Sequence, residues 1–219
     1  MNIKEKVLDV IFPPVCGLCN RINKDFLCDL CKNKIDEIKI SSIDDYSDLP
    51  VYFDEHYYTL KYAGEVRDYI LKYKFNEKSY LYKSFAKIIM DDSLFTNKFI
   101  NKYDCIICVP IHKKRFNVRG YNQSGLIAEE IAKKCQLEYY NEILVKSKNK
   151  VAQSTLDKLE RVSNVKGAFA KGKNIRLIEG KNVALFDDIY TTGATVNECA
   201  RILKDAGASF VGVFTLAKD

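Results

Sequence analysis

The sequence predicts an α/β fold, a parallel sheet flanked by helices, preceded by a small four-cysteine module. Three observations carry this reading. Short continuous apolar runs at 104–110, 183–186 and 210–216 have the character of strands buried on both faces. Between them lie helix faces: Ser124, Ile127, Ala128, Ile131, Ala132 and Cys135, then Val196, Cys199, Ala200, Leu203 and Ala206. Strand–helix–strand alternation implies parallel pairing with right-handed crossovers. Ahead of all this stand two Cys-x-x-Cys pairs, Cys16 with Cys19 and Cys28 with Cys31.

Taken in order, Ile3, Val7, Val10 and Ile11 form one apolar face of a short helix, which Pro13 and Pro14 stop. The cysteine stretch follows. Residues 32–50 are polar and acid-rich, end in Pro50, and read as a connector. The expected division is therefore an N-terminal helix, cysteine module and connector over 1–50, and one α/β domain over 51–219. Residues 51–62, rich in aromatic and β-branched side chains, suggest the opening strand. Residues 64–92 read as two helical segments with a break near Asn76. A further strand is expected within 139–145. Residues 146–172 are polar, lysine-rich and long for a connector. Gly207 closes the last helix before the final strand.

The chain has 219 residues, 47% apolar and 29% charged, which excludes global disorder. Lys and Arg number 35 against 29 Asp and Glu, a net charge of +6 that favours a polyanionic partner or phosphorylated ligand. No run reaches the ~18 apolar residues of a membrane span. The first residues carry charge and lack a secretory apolar core, so a cytoplasmic protein without membrane insertion is expected.

In that compartment the cysteine pairs favour a metal over disulfides or free thiols. Each pair places two thiolates on one cation, and two pairs complete a tetrahedron of ~2.3 Å arms, as zinc prefers. With Cys16, Cys19, Cys28 and Cys31 all sulfur, the site is closed, which argues for a structural role. Gly17 lets the first knuckle turn tightly. Cys105 and Cys108 form a third pair, but they sit in an apolar strand and point to opposite faces. They read as buried small hydrophobes, as do Cys135 and Cys199.

The strongest chemical signal begins at Val183. A buried strand delivers two carboxylates, Asp187 and Asp188, to the edge where open α/β sheets bind ligands. A short loop, Thr191, Thr192, Gly193, Ala194 and Thr195, then enters a helix. Its N–H groups and hydroxyls make an anion cradle, to which the helix N-terminus adds its positive end. Acids suit sugar hydroxyls, directly or through Mg²⁺, and the cradle suits a phosphate monoester. Together they describe a site for a phosphorylated sugar.

This segment closely resembles the phosphoribosyl-pyrophosphate (PRPP) signature of type I phosphoribosyltransferases. The resemblance implies that Asp187 and Asp188 contact the ribose hydroxyls and that residues 191–195 hold the 5′-phosphate. Tyr190 departs from the signature, which has an aliphatic residue there. Phe12 through Cys19 with the second cysteine pair resembles the zinc segment of the ComF family of competence proteins. Val109 and Pro110, then Arg115 and Arg119 through Gln123, resemble that family's Arg-Gly-Phe-Asn-Gln element. Gln153, Leu156, Arg161, Asn164 and residues 167–169 resemble its next block. The likeness spans nearly the whole chain. It implies a structural zinc, Mg²⁺ with PRPP, and a role in natural transformation, handling single-stranded DNA beside a helicase-like partner.

The basic stretch from His112 to Arg119 follows a strand end. Arg115 and Arg119 suit the pyrophosphate of PRPP, equally a nucleic-acid backbone, and equally a solvated loop. His112 reads as a polar loop residue, and His56 is given no role. The resemblance places a mobile, ligand-closing loop at 146–172, where an ordinary surface loop is the alternative; Arg161 is its residue to test, so the catalytic candidates are Asp187, Asp188 and Arg161. Lys72 and Lys74 resemble a basic family element, and Tyr69, Tyr73 and Phe75 are base-stacking or core aromatics. Two functions follow: a Mg·PRPP-binding protein of DNA uptake, or a phosphoribosyltransferase acting on a nitrogenous acceptor.

Overall fold

The computed structural model describes residues 15–46, 49–75, 78–98, 101–147, 165 and 167–219. The helix expected from Ile3 to Ile11, the break at Asn76, and Gln153, Leu156, Arg161 and Asn164 lie outside them. The described elements are α1 (Asp29–Ile38), β1 (Lys39–Asp45), β2 (Glu55–Lys61), α2 (Gly64–Phe75), α3 (Leu81–Met90), α4 (Ser93–Lys98), β3 (Cys105–Cys108) and α5 (Lys113–Arg119). There follow α6 (Gln123–Cys135), β4 (Glu138–Tyr139), β5 (Leu144–Lys146), β6 (Phe169–Lys171), a 3₁₀ turn (Ile175–Ile178), β7 (Asn182–Tyr190), α7 (Ala194–Lys204) and β8 (Phe210–Lys218).

Six strands form one sheet in the order β1-β2-β8-β7-β3-β4. Every pairing from β2 to β4 is parallel; β1 joins the edge antiparallel to β2. Alternation along the central strands fills two cores. Cys105, Ile107, Val183, Leu185 and Val213 pack on one face with Val196, Cys199 and Leu203 of α7. Ile106, Ala184, Phe186 and Phe214 pack on the other with Ile70 of α2, Phe85 of α3 and Ile127 of α6. Each large apolar side chain so buried contributes about 1.5–3 kcal/mol. Cys105 and Cys199 are buried and Cys108 and Cys135 half-buried. Burial pushes the Cys105 thiol up to about 12 and that of Cys108 up to about 11.

The expected parallel sheet is present, and β1 adds one antiparallel strand at its edge. Within the connector expected over 32–50, residues 32–45 are regular: they complete α1 and form β1. As a half-buried edge strand, β1 shows no apolar alternation. Polar contacts hold it instead, Asp44 accepting from Lys218 at 2.6 Å and Ser41 bonding Asp92. The strand expected within 139–145 is two strands. β4 ends at Tyr139 in the main sheet, whereas β5 pairs antiparallel with β6 in a separate ribbon. Among the described residues no helix is long and apolar enough to cross a membrane.

Candidate functional site

The site opens where β3 stops and β7 continues. β3 pairs with β7 only as far as Phe186, with one more bond from the Val109 N–H to the Phe186 carbonyl. Asp187 and Asp188 therefore stand just past the end of β3. The Asp187 Oδ1 accepts from the Ser124 hydroxyl at 3.0 Å and from the Asp188 N–H at 2.9 Å. Burial, then the charge of Asp188, push the Asp187 carboxyl up to about 7, against the pull of Lys74 and both hydrogen bonds. Asp188 is 8% exposed and its Oδ2 lies 2.8 Å from the Lys74 ammonium.

Beyond the acids, residues 189–196 and Asp187 line a small cleft. Gly193 is the N-cap of α7 at φ +73° and offers no side chain to cap it. The Ala194 N–H reaches the Thr192 hydroxyl at 3.4 Å, and the rest of the first turn offers its N–H groups to an anion. A Cβ on Gly193 would collide with the Tyr190 hydroxyl. Tyr190 is itself held, its ring stacked on His56 at 4.2 Å and edge-on to Phe53. His56 is fully buried, with Nε2 2.8 Å from the Thr215 hydroxyl. Burial, aided by the charge of Lys218, lowers it to about 3, so it is neutral at physiological pH. The departure at Tyr190 thus has a local cause: its ring backs the loop.

The stretch from Lys113 to Arg119 is a helix, not a loop. His112 is its N-cap, its Nδ1 accepting from the Lys114 N–H at 3.1 Å, and Gly120 ends it at φ +78°. Arg119 donates to the Gln123 Oε1 at 3.1 Å and lays its guanidinium over the Phe75 ring at 5.0 Å. Burial and the charge of Arg115 lower Arg119, and Asp188 opposes them. Arg115 is exposed.

Two further residues join the site. Lys146, at the end of β5, is half-buried with its ammonium over the Phe169 ring at 4.9 Å. Burial and Arg115 pull it down while Asp187 opposes them. By sequence pattern Ser124 is a helix-face residue. A polar side chain on an otherwise apolar face was the signal for it; Lys146, in a lysine-rich run, had none.

The four module cysteines converge. Their sulfurs all lie within 4.8 Å of one another, and those of Cys19 and Cys28 are 3.7 Å apart. A tetrahedron with ~2.3 Å arms has edges of ~3.8 Å, so the donor set fits a thiolate-bound ion. The first knuckle is tied by the Cys16 N–H to the Arg21 carbonyl and the Gly17 N–H to that of Phe26. Gly17 abuts Ser84 and Leu81 of α3, and Leu27 and Ile35 bury beside Cys16 and Cys31. The module therefore shares a core with the sheet.

This arrangement of parallel sheet, acid pair and glycine-bearing anion loop defines a phosphoribosyltransferase fold, and residues 95–219 match the phosphoribosyl transferase domain family. Relatives with curated names cover more of the chain. Competence protein F of Haemophilus influenzae is 28% identical over 68% of this chain and 66% of its own length. DNA utilization protein YhgH of Escherichia coli is 27% identical over 72% and 69%. Competence protein ComFC of Streptococcus pneumoniae is 30% identical over 72% and 65%. The chain thus spans about two thirds of the length of these relatives. A solved allosteric regulatory enzyme of purine biosynthesis matches 56% of this chain and 23% of its own at 21% identity and a TM-score of 0.35, too weak a likeness to bear on the fold. The chain belongs to the ComF family of phosphoribosyltransferase-domain proteins.

Proposed function

We propose that the chain binds Mg·PRPP at the ends of β3 and β7 and acts in DNA uptake, where it handles single-stranded DNA. The observation that carries the first part is the acid pair and the glycine-bearing anion loop on one strand–loop–helix, with basic residues facing them. Asp187 and Asp188 would take the ribose hydroxyls, directly or through Mg²⁺. Residues 191–195 would take the 5′-phosphate. Arg115 and Arg119, with Lys146, suit a pyrophosphate group, because guanidinium forks match phosphate oxygens. Arg161 remains a candidate for closing over the ligand. Cys16, Cys19, Cys28 and Cys31 would hold a structural zinc, consistent with their closed all-sulfur set. The part in uptake is supported by the names of the relatives and by the net charge of +6. A cytoplasmic location and a helicase-like partner belong to the same reading.

Calorimetric titration of PRPP with Mg²⁺ tests the site. Wild type should bind and folded Asp187→Asn/Asp188→Asn should not; undiminished affinity in the double variant sinks the assignment. A second reading, transfer of phosphoribose to a nitrogenous acceptor, is favoured by the match of the whole 95–219 segment to a transferase domain. Pyrophosphate release across a nucleobase panel separates it from binding alone.

A further inference from the structure

On the side of β3 away from β7 lies a second cavity, of about 220 Å³, between the end of β3, α5 and residues 139–144. It is separate from the cleft at residues 187–196, since β3 stands between β7 and β4. Its volume falls below the ~300 Å³ at which pockets for drug-sized ligands begin, and suits one ring system rather than a whole nucleotide. Phe116 and Tyr139 supply aromatic walls. Asn122 lines it as well: its Nδ2 donates to the Val109 carbonyl at 3.0 Å and lies 3.4 Å from the Cys108 sulfur. The Asn122 Oδ1 is buried with no partner among the described residues, so this side chain must turn before it can accept from a base-edge N–H.

The rim has a second character. α5 presents Phe116 at 47% exposure together with Lys113, Lys114 and Arg115, all exposed. The helix contains no acid, and none of its cations forms an ion pair among the described residues. At its far end Arg119 lies over Phe75, which is 66% exposed, giving another planar platform. Cations answer phosphates, and exposed rings beside a ring-sized cavity answer bases. An acidic peptide would satisfy the first and leave the second empty.

We propose that α5 is the track of a single-stranded nucleic acid, one of whose bases seats in the cavity walled by Phe116, Tyr139 and Asn122. This rests on the strand-handling reading above and gives it a surface. Arg115 neighbours Phe116 on α5, and Arg119 at the helix end feels the charge of Asp188, so strand and Mg·PRPP would meet at this helix.

Fluorescence anisotropy with the full chain tests it, using labelled oligothymidylate roughly 20 nucleotides long, beyond the ~4–16 nucleotides of single-strand sites, and an abasic strand of equal length. Phe116→Ala should weaken the thymidylate about tenfold, the loss of one stacked base, and leave the abasic strand unchanged. Lys113→Gln with Lys114→Gln should weaken both and flatten the log–log salt slope by about 1.4. Unchanged melting and unchanged Mg·PRPP binding certify both variants. Equal losses on both strands from Phe116→Ala, or none, overturn the pocket. So does competition by free thymine, which would make it a site for a free base. Wild type binding neither oligomer would instead remove the strand-handling reading, and this inference with it.

Discussion

Replacing Gly193 by alanine perturbs the anion loop in a way the structure makes calculable. Gly193 sits at φ +73°, where a Cβ costs about 1–2 kcal/mol. The new methyl would also meet the Tyr190 ring at its hydroxyl end. Tyr190 does not yield freely, since it stacks on buried His56 and lies edge-on to Phe53. Disturbing such ring contacts costs a further ~0.5–1.5 kcal/mol. Gly193→Ala should therefore destabilise by about 2–3 kcal/mol, lowering Tm by about 4–12 °C for a chain of this size. Tyr190→Val removes the ring and restores the aliphatic type of the PRPP signature. In that background only the backbone part, about 1–2 kcal/mol, should remain, a coupling of about 1 kcal/mol. Urea denaturation of both single variants and the double closes the cycle. Additivity within ~0.3 kcal/mol would refute the claim that Tyr190 backs the loop.

Three other outcomes are expected. The Asp187 carboxyl is held up at about 7 in the fold against ~3.9 unfolded, so its contribution to stability is complete below about pH 4 and lost as pH rises through 7. Asp187→Asn should remove that slope and melt above wild type near pH 8; melting below wild type there would contradict it. Lys74→Met leaves Asp188 without its cation in a partly exposed pair, costing about 1–3 kcal/mol, while Lys74→Arg keeps most of the stability; equal losses in both variants would point to packing, not charge. Metal analysis of reduced protein should find about one zinc per chain, absent from Cys16→Ser, and a wild-type value near zero would leave the cysteine cluster without its ion.

The central strands were legible because burial on both faces forces uninterrupted apolar runs, and 183–186 could be little else. The acid pair and its loop were legible because each demands particular residue types at fixed spacing. β1 was not, because an edge strand held by Lys218–Asp44 and Ser41–Asp92 contacts leaves no period in its apolar residues. The split of 139–145 between two sheets was hidden because β5 is three residues long and its partner β6 begins 23 positions further on. At the site, Asp187, Gly193 and the basic character of Lys74 could be read from the chain, but the pairing of Lys74 with Asp188 could not. That contact joins residues more than a hundred positions apart, and charge pattern says nothing about such distances.

The last turn of α2 shows why the missing partner matters. Tyr73, Lys74 and Phe75 are successive, and successive helical side chains diverge by ~100°. Yet all three meet the site's surroundings: the Tyr73 hydroxyl donates to the Gln123 carbonyl at 2.8 Å, Lys74 pairs with Asp188, and Phe75 underlies Arg119. A helix lying along the site would turn at least one of them away; a helix ending in it need not. These residues precede the 95–219 segment that matches the phosphoribosyl transferase domain. The cysteine module packs on α3, and α3 packs on α6, whose first turn carries the Ser124 that bonds Asp187. Both acids are therefore positioned with help from outside the matched domain, Asp188 directly and Asp187 through packing. The part of the chain before residue 95 helps fix the site's charge and geometry, and a matched domain cut there would lose the cation beside Asp188.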